Sequence, residues 1–188
     1  YDKKKIIICS DTRFEQIINR SKKNSTNKIL PNSFHNSFNI IFGSYDLYDE
    51  PIIFDSIKKK YPNGLDDLKI NNQRLIFVPH EVDSSTINRT INKLESLFFS
   101  PNLYSQKNFD SRVLVVDVVG ILADIYKYTK LAYVGSGFND GVHSVIEPAI
   151  YGCAIGYGPE IELLDEAKYI NENDMGIMIN DKLDMVSF

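Results

Sequence analysis

The chain has 188 residues, 43% hydrophobic, 12% aromatic and 24% charged, an ordinary globular composition that excludes a disordered tail. A formal net charge of −4 and a pI near 5.4 exclude a sequence-independent nucleic-acid binder, which needs a basic surface. No run approaches the ~20 apolar residues of a spanning helix, and the stretch 113–119 is broken by Asp117.

A chain of this length buries roughly 70% of its unfolded surface and needs no disulfide or metal staple. Cys9 and Cys153 stand far apart with no CxxC and no zinc spacing, and read as reduced, half-buried thiols of a cytosolic protein. The opening Tyr1-Asp-Lys-Lys-Lys5 has no initiator methionine and no signal core, and reads as the interior of a longer gene product.

Short β-rich runs alternate with helical patterns along the chain. The first pair is a strand over 5–9 and a helix over 11–20, with Phe14, Ile17 and Ile18 at helical spacing and Asp11 or Thr12 as N-cap. The Asn, Ser and Lys of 21–28 form a linker. A strand over 38–44 ends at Gly43-Ser44 and precedes a helix over 49–61. A strand over 74–79 precedes a helix over 84–98, with Ile87, Ile91, Leu94 and Phe98 on one face, and 100–111 reads as loop. Next come a strand over 112–117 with a helix over 120–129, and a strand over 131–134 with a glycine-rich loop and a helix over 145–151. A strand over 154–157, a helix over 161–171 and a last strand over 176–179 complete the pattern, and the remaining C-terminal residues give no reading.

Near-continuous apolar strands mean that helices cover both sheet faces, which predicts a doubly wound α/β parallel sheet. Such sheets bind ligands outside the carboxyl ends of their strands, so the residues just after each strand carry the interest. Gly135-Ser-Gly-Phe-Asn-Asp-Gly141 sits between a strand and a helix, where glycines let backbone approach a ligand and a helix start favours an anion. Its spacing is GxGxxxG, not the GxGxxG of dinucleotide sites, so an NAD dehydrogenase is disfavoured. Ser144-Val-Ile-Glu147 reads either as a capping box or, through Glu147, as a carboxylate that accepts from a sugar diol. His143 reads as structural or catalytic, His80 as structural or crevice-lining, and His35 carries nothing. Ser44 is a turn residue or an anion donor, Asp117 caps the next turn, and Asp49-Glu50 favours a helix N-terminus through the dipole. Lys3–Lys5 and Lys58–Lys60 read as solvated faces.

The order Ser10-Asp-Thr-Arg-Phe14, Phe42-Gly-Ser44, Val78-Pro-His80, Val116-Asp117, Ala132-Tyr-Val-Gly135, Gly141-x-His143-x-x-x-Glu147-Pro148 and Gly158-Pro159 resembles the Kdo transferases, over about residues 9–180. These enzymes transfer 3-deoxy-D-manno-octulosonic acid (Kdo) from its CMP derivative to a lipid A precursor in lipopolysaccharide synthesis. The resemblance implies a two-lobed GT-B glycosyltransferase. Residues 1–28 would be the end of the N-terminal lobe and the interlobe linker, and 29–188 the Rossmann-like CMP-sugar donor-binding lobe. It implies that the helix starting near Ser144 receives the CMP phosphate and that Glu147 holds the ribose hydroxyls. Gly43, Ser44, Gly135, Ser136, Gly137, Gly141, His143 and His80 would line the donor crevice.

The reaction would be inverting, without metal or other cofactor. Its general base would lie in the N-terminal lobe, leaving no catalytic residue in this fragment and leaving the fragment inactive alone. The acceptor, and the cytoplasmic face of the inner membrane, would be met through that other lobe. Three departures stand out: Ser10 for a glycine, Ser144 for an asparagine, and no arginine between Pro79 and His80, which leaves the cation for the donor phosphate unassigned. The alternatives are the donor lobe of a UDP-sugar hexosyltransferase or epimerase, and a nucleotide-binding module without catalysis.

Overall fold

The computed structural model describes residues 11–24 and 28–188. The strand expected over 5–9, together with Cys9, Ser10 and Lys3–Lys5, lies outside them. Among the described residues, seven parallel strands make one sheet: β1 (Phe38–Tyr45), β2 (Gln73–Pro79), β3 (Asn102–Leu103), β4 (Val113–Val115), β5 (Leu131–Val134), β6 (Ala154–Tyr157) and β7 (Ile177–Met178). Their spatial order is β3-β4-β2-β1-β5-β6-β7. Between and around them run helices α1 (Thr12–Asn24), α2 (Glu50–Lys60), α3 (Leu65–Ile70), α4 (Ser84–Ser96), α5 (Leu122–Ile125), α6 (Ile146–Ala149), α7 (Asp165–Glu172) and α8 (Lys182–Ser187). None of these is long and apolar enough to cross a membrane.

The central strands are apolar through their middles, over 40–42 in β1 and 75–78 in β2, because both faces are covered. Ile40 and Phe42 of β1 join Leu75 and Phe77 of β2 and Val113 and Val115 of β4 on one face, under Ile53 and Ile57 of α2, Leu68 of α3, Leu94 of α4 and Met185 of α8. Ile41, Ile76, Val78 and Leu114 point the other way, against Leu30, Phe34, Ile125, Tyr126 and Tyr128. Phe42 and Phe54 stack on Phe77 with ring centroids 5.1 and 5.9 Å away. Each such fully buried side chain is worth about 1.5–3 kcal/mol by area alone. A third cluster joins Val134, Ile155 and Tyr157 to Ala167 and Ile170 of α7 and to Val145. The doubly wound parallel sheet expected from the sequence is therefore the fold.

Several elements differ from the sequence reading. The loop expected over 100–111 contains β3, a two-residue edge strand on β4 that is too short to show any period. The helix expected over 84–98 ends at Ser96, and Phe98 takes a left-handed φ of 64° with its ring exposed. Over 120–129 the helix is a single α turn followed by a 3-10 turn, Tyr126–Tyr128. Over 161–171 the helix begins only at Asp165. The C-terminal residues form α8, whose N-cap Asp181 accepts from the N–H groups of Leu183 and Asp184 at 2.6 and 3.1 Å. Asp117 does not cap the turn that follows it; it accepts from the backbone N–H and the hydroxyl of Ser105. Cys153 is 8% exposed, more buried than expected, beside the Thr129 hydroxyl.

The topology opens one crevice. The chain leaves β1 towards β2 on one side and returns as β5 on the other. The loops after β1 and β5 therefore part at the carboxyl end of the sheet, which is where open α/β sheets place ligands.

Candidate functional site

At the end of β1 the ladder to β2 slips between Gly43 and Tyr45, and Ser44 bulges out with φ 51°. A bulge of this kind re-aims the strand end. It is followed by a tight turn in which Asp46 accepts from the N–H groups of Tyr48 and Asp49 at 2.8 and 3.2 Å. Asp49 turns inward and is 0% exposed. Its Oδ2 accepts the N–H groups of Asp46 (2.8 Å) and Ser136 (2.7 Å), and its Oδ1 accepts the Tyr133 hydroxyl at 2.6 Å. One carboxylate thus ties the loop after β1 to the end of β5. The sequence reading of Asp49 as a residue serving the helix dipole misses this: Asp49 does precede α2, but its side chain makes no capping hydrogen bond. Burial raises its pKa, and the three donors oppose that rise.

The glycine-rich loop after β5 is seated by close backbone approach. A Cβ on Gly135 would lie 2.3 Å from the Tyr45 Cα, and one on Gly137 would lie 2.6 Å from the Gly158 nitrogen. From there the Ser136 hydroxyl donates to Asp46 (3.1 Å), and its oxygen can accept from His143 Nε2 (3.1 Å). His143 stacks on His80, ring centroids 4.6 Å apart and planes 17° from parallel. Burial first, and then His80, hold the His143 pKa below its ordinary value, with Asp46 pulling the other way.

A cavity of about 670 Å³ opens here, bounded by Asp46, His80, Arg89, Ser136, Gly141 and His143. A second groove of about 410 Å³ lies beyond His143, bounded by Arg13 and Gln16 of α1, by His143, Ser144 and Glu147, and by Glu166. Helix α1 is held over that groove by Arg13–Glu166 (3.2 Å) and by Arg20, which meets Asp124 at 3.0 Å and the Gly120 carbonyl at 2.9 Å. Its Asp11 accepts the Arg13 N–H at 2.9 Å, the capping role expected of it.

The capping box expected over 144–147 does not form. The helix is one turn, α6, preceded by Val145 with no side-chain cap, and Glu147 is its second residue. Pro148, which lacks an N–H, helps limit α6 to that turn. A four-residue helix has little macrodipole, so any pull on an anion rests on individual N–H groups. Among the described residues, no acceptor meets the N–H of Ser144 or Val145. Glu147 lies half-buried on the groove wall. Burial raises its pKa, Arg20 lowers it and Asp124 adds to the rise.

The residues singled out in the sequence therefore fall into three groups. His80, Ser136, Gly141 and His143 line the cavity. His143, Ser144 and Glu147 line the groove. Gly43, Ser44, Gly135 and Gly137 shape the backbone beneath them; a Cβ on Gly43 would lie 2.6 Å from the Tyr126 hydroxyl, on the opposite face from the cavity. The sequence reading missed Asp46 and Arg89. Asp-x-x-Asp directly after a strand is a legible turn signal, whereas Arg89, in mid-helix, carries none.

No family model matches the chain. It is 28% identical over 153 residues to a 3-deoxy-D-manno-octulosonic acid transferase of Aquifex aeolicus, an alignment covering 79% of this chain and 40% of that protein. The chain thus spans well under half the length of that relative. In fold it is similar to the C-terminal CMP-Kdo binding domain of WaaA from Acinetobacter baumannii, with a TM-score of 0.70, 15% identity and coverage of 93% and 85% of the two chains. It is also similar to a UDP-forming α,α-trehalose-phosphate synthase from Burkholderia vietnamiensis, with a TM-score of 0.60, 12% identity and coverage of 93% and 40%. The likeness to Kdo transferases read from the motifs is borne out in sequence, and the Rossmann-like lobe in fold.

Two outcomes follow for the site. Asp49→Ala leaves three buried donors without an acceptor and lowers stability by about 3 kcal/mol or more in urea unfolding, while Asp49→Asn costs less. For His143 the depressed pKa means that stability is complete above the unfolded value of about 6.5 and falls as pH drops below it, because the unfolded chain takes up a proton that the folded site resists. Unfolding free energy therefore declines as pH falls through about 6.5, and His143→Gln flattens that part of the profile.

Proposed function

We propose that this chain is the donor-binding lobe of an inverting Kdo transferase, holding CMP-Kdo while the sugar passes to a lipid A precursor. One observation carries the reading: the loop that holds the most specific sequence likeness, residues 135–148, is the loop that walls both the switch-point cavity and the groove. The similarity to the Aquifex transferase and to the Acinetobacter domain supports it.

In this reading the cytidylate lies along the groove. The N–H of Ser144 meets its phosphate, and Glu147 accepts from the ribose hydroxyls. The acceptor hydroxyl attacks the anomeric carbon as the carbon–oxygen bond to phosphate breaks. The acceptor's proton passes to a base, and CMP leaves with the bonding electrons. Backbone donors fixed before the reaction stabilise the charge that grows on the departing phosphate. The base is a carboxylate of the N-terminal lobe, which also meets the lipid acceptor at the cytoplasmic face of the inner membrane. The 188 residues alone then bind donor without turning it over.

The fold likeness to a UDP-forming synthase favours a second reading, a lobe for a UDP-sugar. Titration separates the two. The chain binds CMP at least about tenfold more tightly than UDP, and Glu147→Gln weakens CMP by about tenfold through loss of a charge-assisted contact. A preference for UDP decides for the rival. In a transfer assay with CMP-Kdo and a lipid A precursor the chain is silent; clear turnover places a sufficient base among these residues.

A further inference from the structure

We propose that Arg89 selects a donor whose sugar bears a carboxylate, gripping that group with the unshared end of its guanidinium. The inference rests on the donor-lobe reading and deepens it by assigning the residue that recognises the sugar's acid group.

Arg89 is the one arginine or lysine among the described residues that line the 670 Å³ cavity. Its Nε donates to Glu50 Oε1 at 2.9 Å, and Glu50 is nearly buried, its side chain 9% exposed against 40% for Arg89. Nη2 makes a long contact of 3.4 Å with the Thr86 hydroxyl, and among the described residues Nη1 meets no acceptor. The guanidinium is planar, so fixing Nε fixes the orientation of both Nη groups. A rigid pair of donors left half-used matches the two oxygens of a carboxylate in a bidentate contact.

The rest of the lining narrows the choice. Besides Glu50, the cavity presents the carboxyl groups of Asp46, Glu81 and Asp140. These repel an anion and accept hydrogen bonds from hydroxyls. A ligand suited to this wall carries one anionic group at Arg89 and hydroxyls elsewhere, which is an acidic sugar and not a neutral hexose. In the donor-lobe reading the phosphate lies on the groove side of His143, at Ser144. That leaves Arg89 for the sugar.

The test compares CMP, which lacks the sugar, with CMP-Kdo by calorimetric titration of the 188-residue chain. Arg89→Met alone strands a buried Glu50, so the informative variant is Glu50→Gln with Arg89→Met, which removes both charges together. The expected result is a loss of about tenfold or more in CMP-Kdo affinity with CMP affinity unchanged. Equal losses for both ligands, or an unmoved CMP-Kdo affinity in the double variant, overturn the proposal while leaving the donor lobe standing. If the unsubstituted chain binds neither cytidine ligand, the donor-lobe reading falls and takes this inference with it.

Discussion

The site depends on one buried carboxylate. Asp49 gathers three donors, from the loop after β1, from β5 and from the loop after β5, and so ties the two chain segments together just beyond the last rung of the β1–β5 ladder. A buried acid is costly in isolation, and the compensation lies in its hydrogen bonds. Because those bonds reach the Tyr133 hydroxyl within β5 and the Ser136 N–H just beyond it, the geometry of the glycine-rich loop is set from the β1 side. Ser136, so fixed, orients His143, and His143 orients against His80.

How much of this was legible follows from what each feature depends on. The sheet was readable because strands buried on both faces must be apolar through their centres, as 40–42 and 75–78 are. The edge strand β3 was not, since two residues carry no period. The capping box failed for a physical reason: Ser144 to Glu147 has the right spacing, but the chain enters its helix one residue later, at Ile146, and Pro148 leaves room for a single turn. Asp49 was visible as an acid before a helix. That it points backwards into the sheet is a tertiary fact, fixed by the bulge at Ser44 and by Tyr133, 84 residues away in sequence. Arg89 escaped notice because a charged residue in mid-helix normally faces water; only the packing of α4 beside the loop after β1 brings it to the cavity.

The distribution of charge sorts the two hollows. The cavity carries several carboxyl groups and one guanidinium already shared with Glu50. The groove pairs a half-buried Glu147 with backbone N–H groups and with Arg13, whose own partners are Asp11 and Glu166. Such pairs at the surface contribute little to stability. Their value is positional, since they keep α1 across the groove mouth.

His143 belongs to both hollows at once. A single imidazole is therefore a party wall: whatever occupies one chamber presses on the same ring that bounds the other. The Ser136 hydroxyl and the His80 face hold that ring from two directions, so it cannot yield to one tenant without disturbing the neighbour. Two halves of one ligand, separated by a wall this thin, would be felt by the protein as a single guest.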